Sequence, residues 1–525
     1  MDKPRLLAAL AIAAAGAGVY ANSFGAPFVF DDPASIMGNP TLRRASTAFF
    51  PPHGGGLTVE GRPLLNATFA LNERISGSAV WSYHAGNLAI HIGAALLLLA
   101  LLARALPLVA AFAAALVWTV HPLATEAVTY ISQRAESLAS CLCLLTLYAF
   151  ARWCEGGRRG WAALAIAACF AAMGSKETAY CVPLLVLLYD RAFISGTLGG
   201  AWRRHCAVHL SLWACLVPLA LFMAGAGARG GTVGFATGVR WWPYVETQFH
   251  SLAHYLRLCF WPAPLIFDYG TQWFSGWAVV PDAALVLGLL ALTVIGLRRW
   301  PRAAFLGCVF FLVLAPTSLV PGDRQTSAEH RMYLPLAAVV ALVGASAETA
   351  ARRARRNEEG AAPLRPPTEA AGRRFHPALL LALAAVPLGA ATIARNRVYR
   401  SAETLYRDSA AKLPDNAFAH YDLAMALRDR GDWAGAAAAY RATLRCDPGM
   451  VHAASDLGDV LCRLRDWPGA EGAYRQSLAL NPNDAAVRFG LGVALLRQGR
   501  AAEADEQFND AALLDPGYRN RRPAP

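Results

Sequence analysis

Residues 415–448, DNAFAHYDLAMALRDRGDWAGAAAAYRATLRCDP, decide how the C-terminal part of this chain folds. Their pattern recurs with a fixed period, because Pro414, Pro448, Pro482 and Pro516 stand 34 residues apart. Leu423, Leu457 and Leu491 are in phase, as are Ala436, Ala470 and Ala504, and Tyr440, Tyr474 and Phe508. Asp447, Asn481 and Asp515 precede the later prolines. A helical hairpin of this length cannot bury its own apolar face. The small residues let paired helices approach, the aromatic fills the groove between repeats, and the proline ends the second helix. Stacking of successive hairpins is therefore obligatory. Ala402 and Tyr406 are in phase with Ala436 and Tyr440, so residues 401–414 read as the second helix of a truncated leading repeat.

A period of 34 is that of the tetratricopeptide repeat (TPR), giving full repeats at 415–448, 449–482 and 483–516 and a TPR domain at 400–518. The rest of the chain is of another kind. Of its 525 residues 56% are hydrophobic and only 16% charged, with apolar runs dominating the first 395 positions; mean hydropathy is +0.33. Two parts suffice, a membrane body at 1–395 and a repeat tail, so the expected fold class is all-α, a polytopic helical membrane body followed by a TPR α-solenoid. The net charge of +12 does not indicate nucleic acid, because the basic residues gather at the ends of apolar runs: Arg152, Arg158 and Arg159; Arg203 and Arg204; Arg298, Arg299 and Arg302; Arg352, Arg353, Arg355 and Arg356. Nine of the eleven cysteines, Cys141 to Cys308, lie in or beside apolar segments without the spacing of a zinc or redox site and read as small buried hydrophobes.

Met1 to Asn22 reads as an uncleaved signal anchor with its N-terminus inside. Further spans are expected near 85–106, 107–121, 127–150, 160–174, 178–193, 205–224, 281–297, 303–320, 331–349 and 377–394, about 11 crossings in all. The stretch 245–261 holds Glu246, two histidines and Arg257 among aromatics. As a crossing it would send Arg298, Arg299 and Arg302 outside, so it reads as an interfacial helix. The basic linkers, including the Pro-rich 350–374, then face the cytoplasm. Residues 23–84 and 225–280 share the outer face with the TPR tail, and the expected location is a bacterial inner membrane with the repeats periplasmic or external.

Three outer-face patches carry polar residues that an ordinary loop does not require. In the first, the adjacent acids Asp31 and Asp32 follow the first helix. Such a pair can raise one pKa and so supply a general base, or form a solvated turn. The same loop holds Arg62 and leads to His84. The second patch is His121-Pro122 to Glu136, in which Glu126, Tyr130 and Arg134 are spaced by four and share a face if helical. Intramembrane charge at Arg134 and Glu136, and at Lys176 and Glu177, suggests a lined cavity or structural ion pairs. The third is Glu329-His330-Arg331, where Arg331 offers a fork to a lipid phosphate or an interface anchor. Histidines 53, 84, 91 and 121 lack metal-ligand spacing among themselves, and no metal is assigned.

Taken in order, F-x-F-D-D, G-R-P-L, Y-H-x-x-N-L-x-x-H, H-P-x-x-T-E-A-V, R-x-E-x-L-A, S-K-E, A-E-H-R-M-Y-L-P and R-N-x-x-Y, followed by TPRs, resemble the transmembrane and tetratricopeptide repeat-containing O-mannosyltransferases and their bacterial relatives. The resemblance implies a GT-C glycosyltransferase fold and transfer of a sugar, mannose in that family, from a polyprenyl-phosphate donor to a protein hydroxyl or envelope glycan. By carry-over, Asp31 is the base, with Asp32 and Glu126 shaping the site. Arg134 and Arg331 would hold the donor phosphate, Arg62 and His84 would line the cavity, and Lys176, Glu177, Glu329 and His330 complete the donor-binding set. No cofactor beyond the lipid-linked sugar is implied, and the partner is a protein or peptide acceptor in the TPR groove. The rival readings are a non-enzymatic TPR scaffold for envelope assembly and a lipid-linked sugar transporter. A scaffold needs no acid-and-base cluster on one face, and no internal symmetry of the transporter kind is visible in 1–395.

Overall fold

The computed structural model describes residues 2–53, 55–225, 234–235, 238–322, 324–361, 377–519 and 521. The cytoplasmic linker expected at 350–374 lies, from 362 onward, outside the described residues. The chain divides into two compact units. One comprises Met1–Leu265 and Gln272–Arg400, the other Ile266–Thr271 and Ser401–Pro525.

The first unit is built of helices α1 (Lys3–Tyr20), α2 (Pro63–Ser76), α3 (Trp81–Leu102), α4 (Leu108–Val120), α5 (Thr125–Thr129), α6 (Arg134–Gly156), α7 (Arg159–Met173), α8 (Val182–Asp190), α9 (Leu198–Ala214), α10 (Leu216–Gly225), α11 (Trp241–Phe260), α12 (Val280–Arg299), α13 (Pro301–Leu319), α14 (Tyr333–Ala361) and α15 (Pro377–Val398). Their ends follow from local chemistry. Pro63 opens α2, where a missing N–H costs nothing. Gly157, in the left-handed region at φ 64°, closes α6 and donates its N–H to the Trp153 carbonyl.

Among the described residues nine helices are long and apolar enough to cross a membrane. Leu108–Val120 and Pro122–Thr129 add a tenth if the pair, bent by 53°, is one span, and Arg159–Met173 is a shorter apolar helix. A helix thus lies over each of the eleven expected stretches, and the chain is a multi-pass membrane protein. Small residues set the spacing between these helices, as expected where lipid leaves little hydrophobic drive for association. Ala110, Ala111, Ala113, Ala114 and Ala115 of α4 are all buried, and a Cβ placed on Gly344 of α14 would lie 3.3 Å from the Ala114 methyl.

The stretch 245–261 forms most of α11. Tyr244, Thr247, Gln248, Ser251, Leu252, Tyr255 and Leu258 make a buried stripe at helical spacing, while Trp241, Trp242, Phe260 and Trp261 are exposed at its ends. This one-sidedness accounts for its polar residues. Gln248 Nε2 donates to the Thr326 carbonyl at 3.0 Å, and the Ala328 N–H donates to Tyr255 Oη at 2.7 Å, so α11 holds the loop 326–328 in place.

The second unit contains α16 (Ala402–Lys412) and three hairpins: α17 (Ala417–Asp429) with α18 (Trp433–Cys446), α19 (Val451–Arg463) with α20 (Trp467–Leu480), and α21 (Ala485–Arg497) with α22 (Ala501–Leu514). The in-phase residues do what their types dictate. Ala436, Ala470 and Ala504 are fully buried, and Tyr440, Tyr474 and Phe508 fill the core between helices. Tyr474 wedges against Gly458 and Gly490, where a Cβ would come within 2.5 and 2.7 Å of its ring, so both positions need glycine. Asp432 and Asp466 cap the second helices by accepting from the N–H groups of Gly435 and Gly469.

Periodicity did not disclose that residues 266–271 belong to this unit. Ile266, Phe267, Asp268 and Tyr269 are buried, Asn416 Nδ2 donates to the Asp268 carbonyl at 2.9 Å, and Phe267 meets Tyr406 edge-on. Gly270 is at φ 61°, and a Cβ there would lie 2.6 Å from Asn416 Oδ1.

Candidate functional site

The acidic pair is split by backbone geometry. Phe30 sits at φ 53°, a left-handed conformation that a bulky residue adopts only when its surroundings fix it. Beyond that turn the two carboxylates have different fates. Asp32 is fully buried, accepting from the Val29 N–H at 3.1 Å and the Ser132 N–H at 2.7 Å. Burial pushes its pKa up to about 7, against the pull of those hydrogen bonds, and the Asp31 charge adds to the rise. Asp31 is half-buried. Its Oδ2 accepts from Thr58 Oγ1 at 2.9 Å, its N–H donates to Tyr130 Oη at 3.1 Å, and its Oδ1 has no hydrogen-bond partner among the described residues. Asp32 is thus a structural staple between the first loop and the start of α6. Asp31 stays half-buried at the edge of the same turn.

The second and third patches meet. Glu126, buried at the end of the bent α4–α5 pair, accepts from the His330 N–H at 2.9 Å and from His330 Nδ1–H at 2.6 Å. The charges of Lys176, Glu136, Arg331 and Asp31 all act on His330, and those of Arg395, Arg331 and Glu136 on Glu126. Residues from five separated stretches therefore share one electrostatic neighbourhood. Arg331, half-buried beside them, donates to the carbonyls of Thr326 and Gln325 at 3.1 and 3.2 Å and forms no carboxylate ion pair among the described residues. Its backbone supports come from the loop that α11 holds.

Arg62 grips Glu177 with Nε and Nη2 and the Thr58 carbonyl with Nη1, tying the first loop to the turn before α8. Lys176 pairs with Glu136 and is buried, which lowers its pKa against the raising effect of that carboxylate. The Lys176–Glu136 pair is buried on both sides, of the sort whose single-partner removal costs about 3–5 kcal/mol, whereas Glu177 is partly exposed. His84 is buried and donates from Nε2 to the Ala26 carbonyl at 2.9 Å, fixing the start of the loop. Glu329 is buried in the short helical turn that leads into α14.

Two expectations change. Glu126, Tyr130 and Arg134 do not share a helix face, because Tyr130 at ψ 113° ends α5 and a 3-10 turn at Ile131–Gln133 intervenes before α6. That break lets Tyr130 reach Asp31 and the Ser132 N–H reach Asp32. Arg134, fully buried, donates to Asn87 Oδ1 at 2.6 Å, Asn72 Oδ1 at 2.7 Å, Thr68 Oγ1 at 3.2 Å and the Tyr83 carbonyl at 2.8 Å, and lies over the Phe69 ring. It knots α2, α3 and α6 together. Arg395 on α15, absent from the expected site set, is buried and acts on Glu126. The R-N-x-x-Y motif is the sequence signal that could have found it. Its neighbour Asn396 donates to the Val19 carbonyl and accepts from Thr129 Oγ1, locking α15 to α1 and α5.

Two cavities lie in the first unit. One of about 190 Å³ is lined by Phe28, Met37, Arg43, Glu73 and Tyr83, none of them in the Asp31–His330 neighbourhood. The other, about 90 Å³, is apolar and lined by Leu98, Leu144, Tyr189, Phe305, Leu334 and Ala341 among others. Its lining runs from Leu334 on α14 to Leu102, Phe193 and Phe305, which stand next to the basic helix ends.

Fold and site together define a multi-pass membrane protein with a C-terminal repeat array and a buried cluster of acids and bases where its first loop meets later helix ends. Residues 391–451 and 455–519 match the tetratricopeptide repeat family model. The chain is 31% identical over 277 residues to Protein O-mannosyl-transferase Tmtc2 of Drosophila melanogaster, covering 48% of this chain and 29% of that protein. It is 32% identical over 169 residues to Protein O-mannosyl-transferase TMTC2 of Mus musculus, covering 30% and 20%. The matches span less than a third of these relatives' own length. The solved MamA protein, 19% identical over 28% of this chain and 85% of its own with a TM-score of 0.22, is too distant to carry an argument. Over these parts of its length the chain is similar to TMTC-type protein O-mannosyl-transferases.

Proposed function

We propose that this protein is a membrane glycosyltransferase that moves a hexosyl group, mannose by analogy with its relatives, from a polyprenyl-phosphate donor to a hydroxyl of a protein acceptor at the outer face of the membrane. The observation that carries this reading is Asp31, whose Oδ2 is oriented by Thr58 while Oδ1 has no hydrogen-bond partner among the described residues. An acceptor hydroxyl bonded to Oδ1 would lose its proton to the carboxylate as its oxygen bonds the anomeric carbon. The bond from that carbon to the donor phosphate breaks, and the departing phosphate carries the negative charge.

Arg331 is suited to hold that charge. Its guanidinium is anchored by two carbonyls rather than neutralised by a carboxylate, which leaves its positive charge for an anion. Glu126 fixes His330, and with it the register of Arg331, while Arg62, Glu177, Lys176, Glu136 and Arg134 position the loop and helix ends without touching substrate. The periplasmic or external orientation of the site, and a TPR groove that presents an extended acceptor segment, belong to the same reading.

Glycopeptide mass spectrometry of cells lacking the protein, complemented with the parental chain or with Asp31→Asn, tests it. Loss of a hexose-modified Ser or Thr set, restored by the parental chain alone, is expected. Equal restoration by Asp31→Asn would rule out Asp31 as the base, and an unchanged glycoproteome would favour a scaffold.

A further inference from the structure

Outside this site, the turn between α8 and α9 gathers three metal-ligating side chains. The carboxylate of Asp190, the last residue of α8, receives His205 Nδ1–H at 2.7 Å and His209 Nε2–H at 2.9 Å on the same Oδ2. Ser195 Oγ donates to its Oδ1 at 2.7 Å. A nitrogen of each imidazole and a carboxylate oxygen lie within 4.8 Å of one another. The histidines stand four apart on α9 and so share a face, and the helix departs from regular geometry at His205 itself, with φ −126° and ψ 22°.

Burial makes this arrangement hard to explain as a surface ion pair. The side chains of Asp190 and His209 are fully buried and that of His205 is 15% exposed. Among the described residues His209 Nδ1 is buried without a hydrogen-bond partner, so the ring's polar contact is with Asp190. The ring is packed face-on against Trp202 and beside Phe150, which leaves it little freedom to turn. Two imidazoles converging on one carboxylate oxygen in an apolar shell is the donor set of a two-histidine, one-carboxylate metal site.

We propose that Asp190, His205 and His209 bind a divalent transition-metal ion of the Zn²⁺ type, water completing the shell, which ties the end of α8 to α9. In the metal-free form each imidazole N–H bonds the carboxylate. On binding, the protons on these nitrogens move to His205 Nε2 and His209 Nδ1, the freed nitrogens and the carboxylate form N–M and O–M bonds of about 2.0–2.1 Å, and any further proton that makes an imidazole cationic is released. The separations of 2.7 and 2.9 Å then widen by about half an ångström to fit the tetrahedral edge that such bonds imply. His205, the only partly exposed member, marks the route of entry. Cys154 Sγ lies 3.9 Å from His205 Nε2, the nitrogen turned away from Asp190, and is not a ligand.

The test uses the full chain in detergent, stripped with a chelator and titrated with Zn²⁺ alone. One ion per chain is expected, with X-ray absorption showing a single light-atom shell at about 2.0–2.1 Å, imidazole outer scattering and no sulfur. His209→Ala and Asp190→Asn should each reduce bound zinc to background. Because loss of a buried group can itself unfold the chain, the absorption spectrum of the parental protein tests the ligand set independently. A sulfur-containing shell, or unchanged zinc content in either variant, would place the ion elsewhere and overturn the assignment. No stoichiometric uptake by the parental protein would equally overturn it, leaving a hydrogen-bonded carboxylate–imidazole cluster.

Discussion

Substituting the two adjacent aspartates one at a time should separate chemistry from structure. Asp32 accepts two backbone N–H groups while fully buried, and a buried donor left without its acceptor costs about 1–3 kcal/mol. Asp32→Ala leaves both donors unsatisfied and should cost about 2–6 kcal/mol, enough to loosen the junction between the first loop and α6. Asp31→Asn behaves differently, because its amide oxygen can still accept from Thr58 Oγ1 and the residue is only half-buried, so its stability cost should be under about 1 kcal/mol. Turnover is what it should lose, roughly 10²- to 10⁴-fold, as a general base removed from a positioned hydroxyl. Both variants are to be measured in nanodiscs for thermal unfolding and for sugar transfer to a peptide. An Asp31→Asn protein that melts with the parent and transfers at the parental rate would refute the assignment. So would an Asp32→Ala protein of parental stability, since the staple would then be redundant.

Three further outcomes follow from the same geometry. Because burial raises the folded pKa of Asp32 to about 7 while its ordinary value is 3.8, the folded state holds the extra proton between those pH values. The parental protein should therefore lose stability relative to Asp32→Asn as pH rises from about 4 to about 7, and a flat difference across that window would mean the carboxylate is not desolvated. Arg331→Ala should weaken donor binding by about 1.5–3 kcal/mol, roughly 10- to 100-fold, in a titration with the lipid-linked sugar, and unaltered affinity would remove Arg331 from the phosphate site. Reporter fusions after residue 360 should score cytoplasmic and fusions after Pro525 external; finding both on one face would overturn the orientation.

The repeat array was legible because periodicity records burial directly. Ala436, Ala470 and Ala504 recur at positions where nothing larger fits, and Tyr440, Tyr474 and Phe508 at positions that nothing smaller fills. The spans were legible from apolar length, although α7 and the α4–α5 pair fall short of a single straight crossing. What local sequence could not convey was which polar residue is turned outward. Asp31 and Asp32 are chemically alike, and only the left-handed turn at Phe30 assigns one to the interior. Likewise, Arg134 looks like a phosphate ligand until its neutral partners Asn72 and Asn87, distant in sequence, are seen to occupy it. The Glu126–His330 contact spans 204 residues, and the docking of 266–271 on Asn416 about 150, so neither leaves a local signature. His205 and His209 had the right spacing, but their third partner lies across a turn.

The most direct measurement of the central claim is transfer itself. The purified full chain, reconstituted with radiolabelled polyprenyl-phosphate mannose and a Ser/Thr-containing acceptor protein, should place label on the acceptor in a form released by β-elimination, with Asp31→Asn leaving the label on the lipid. Label that stays on the lipid with the parental chain, across a panel of polyprenyl-phosphate hexoses and acceptor proteins, would contradict the account.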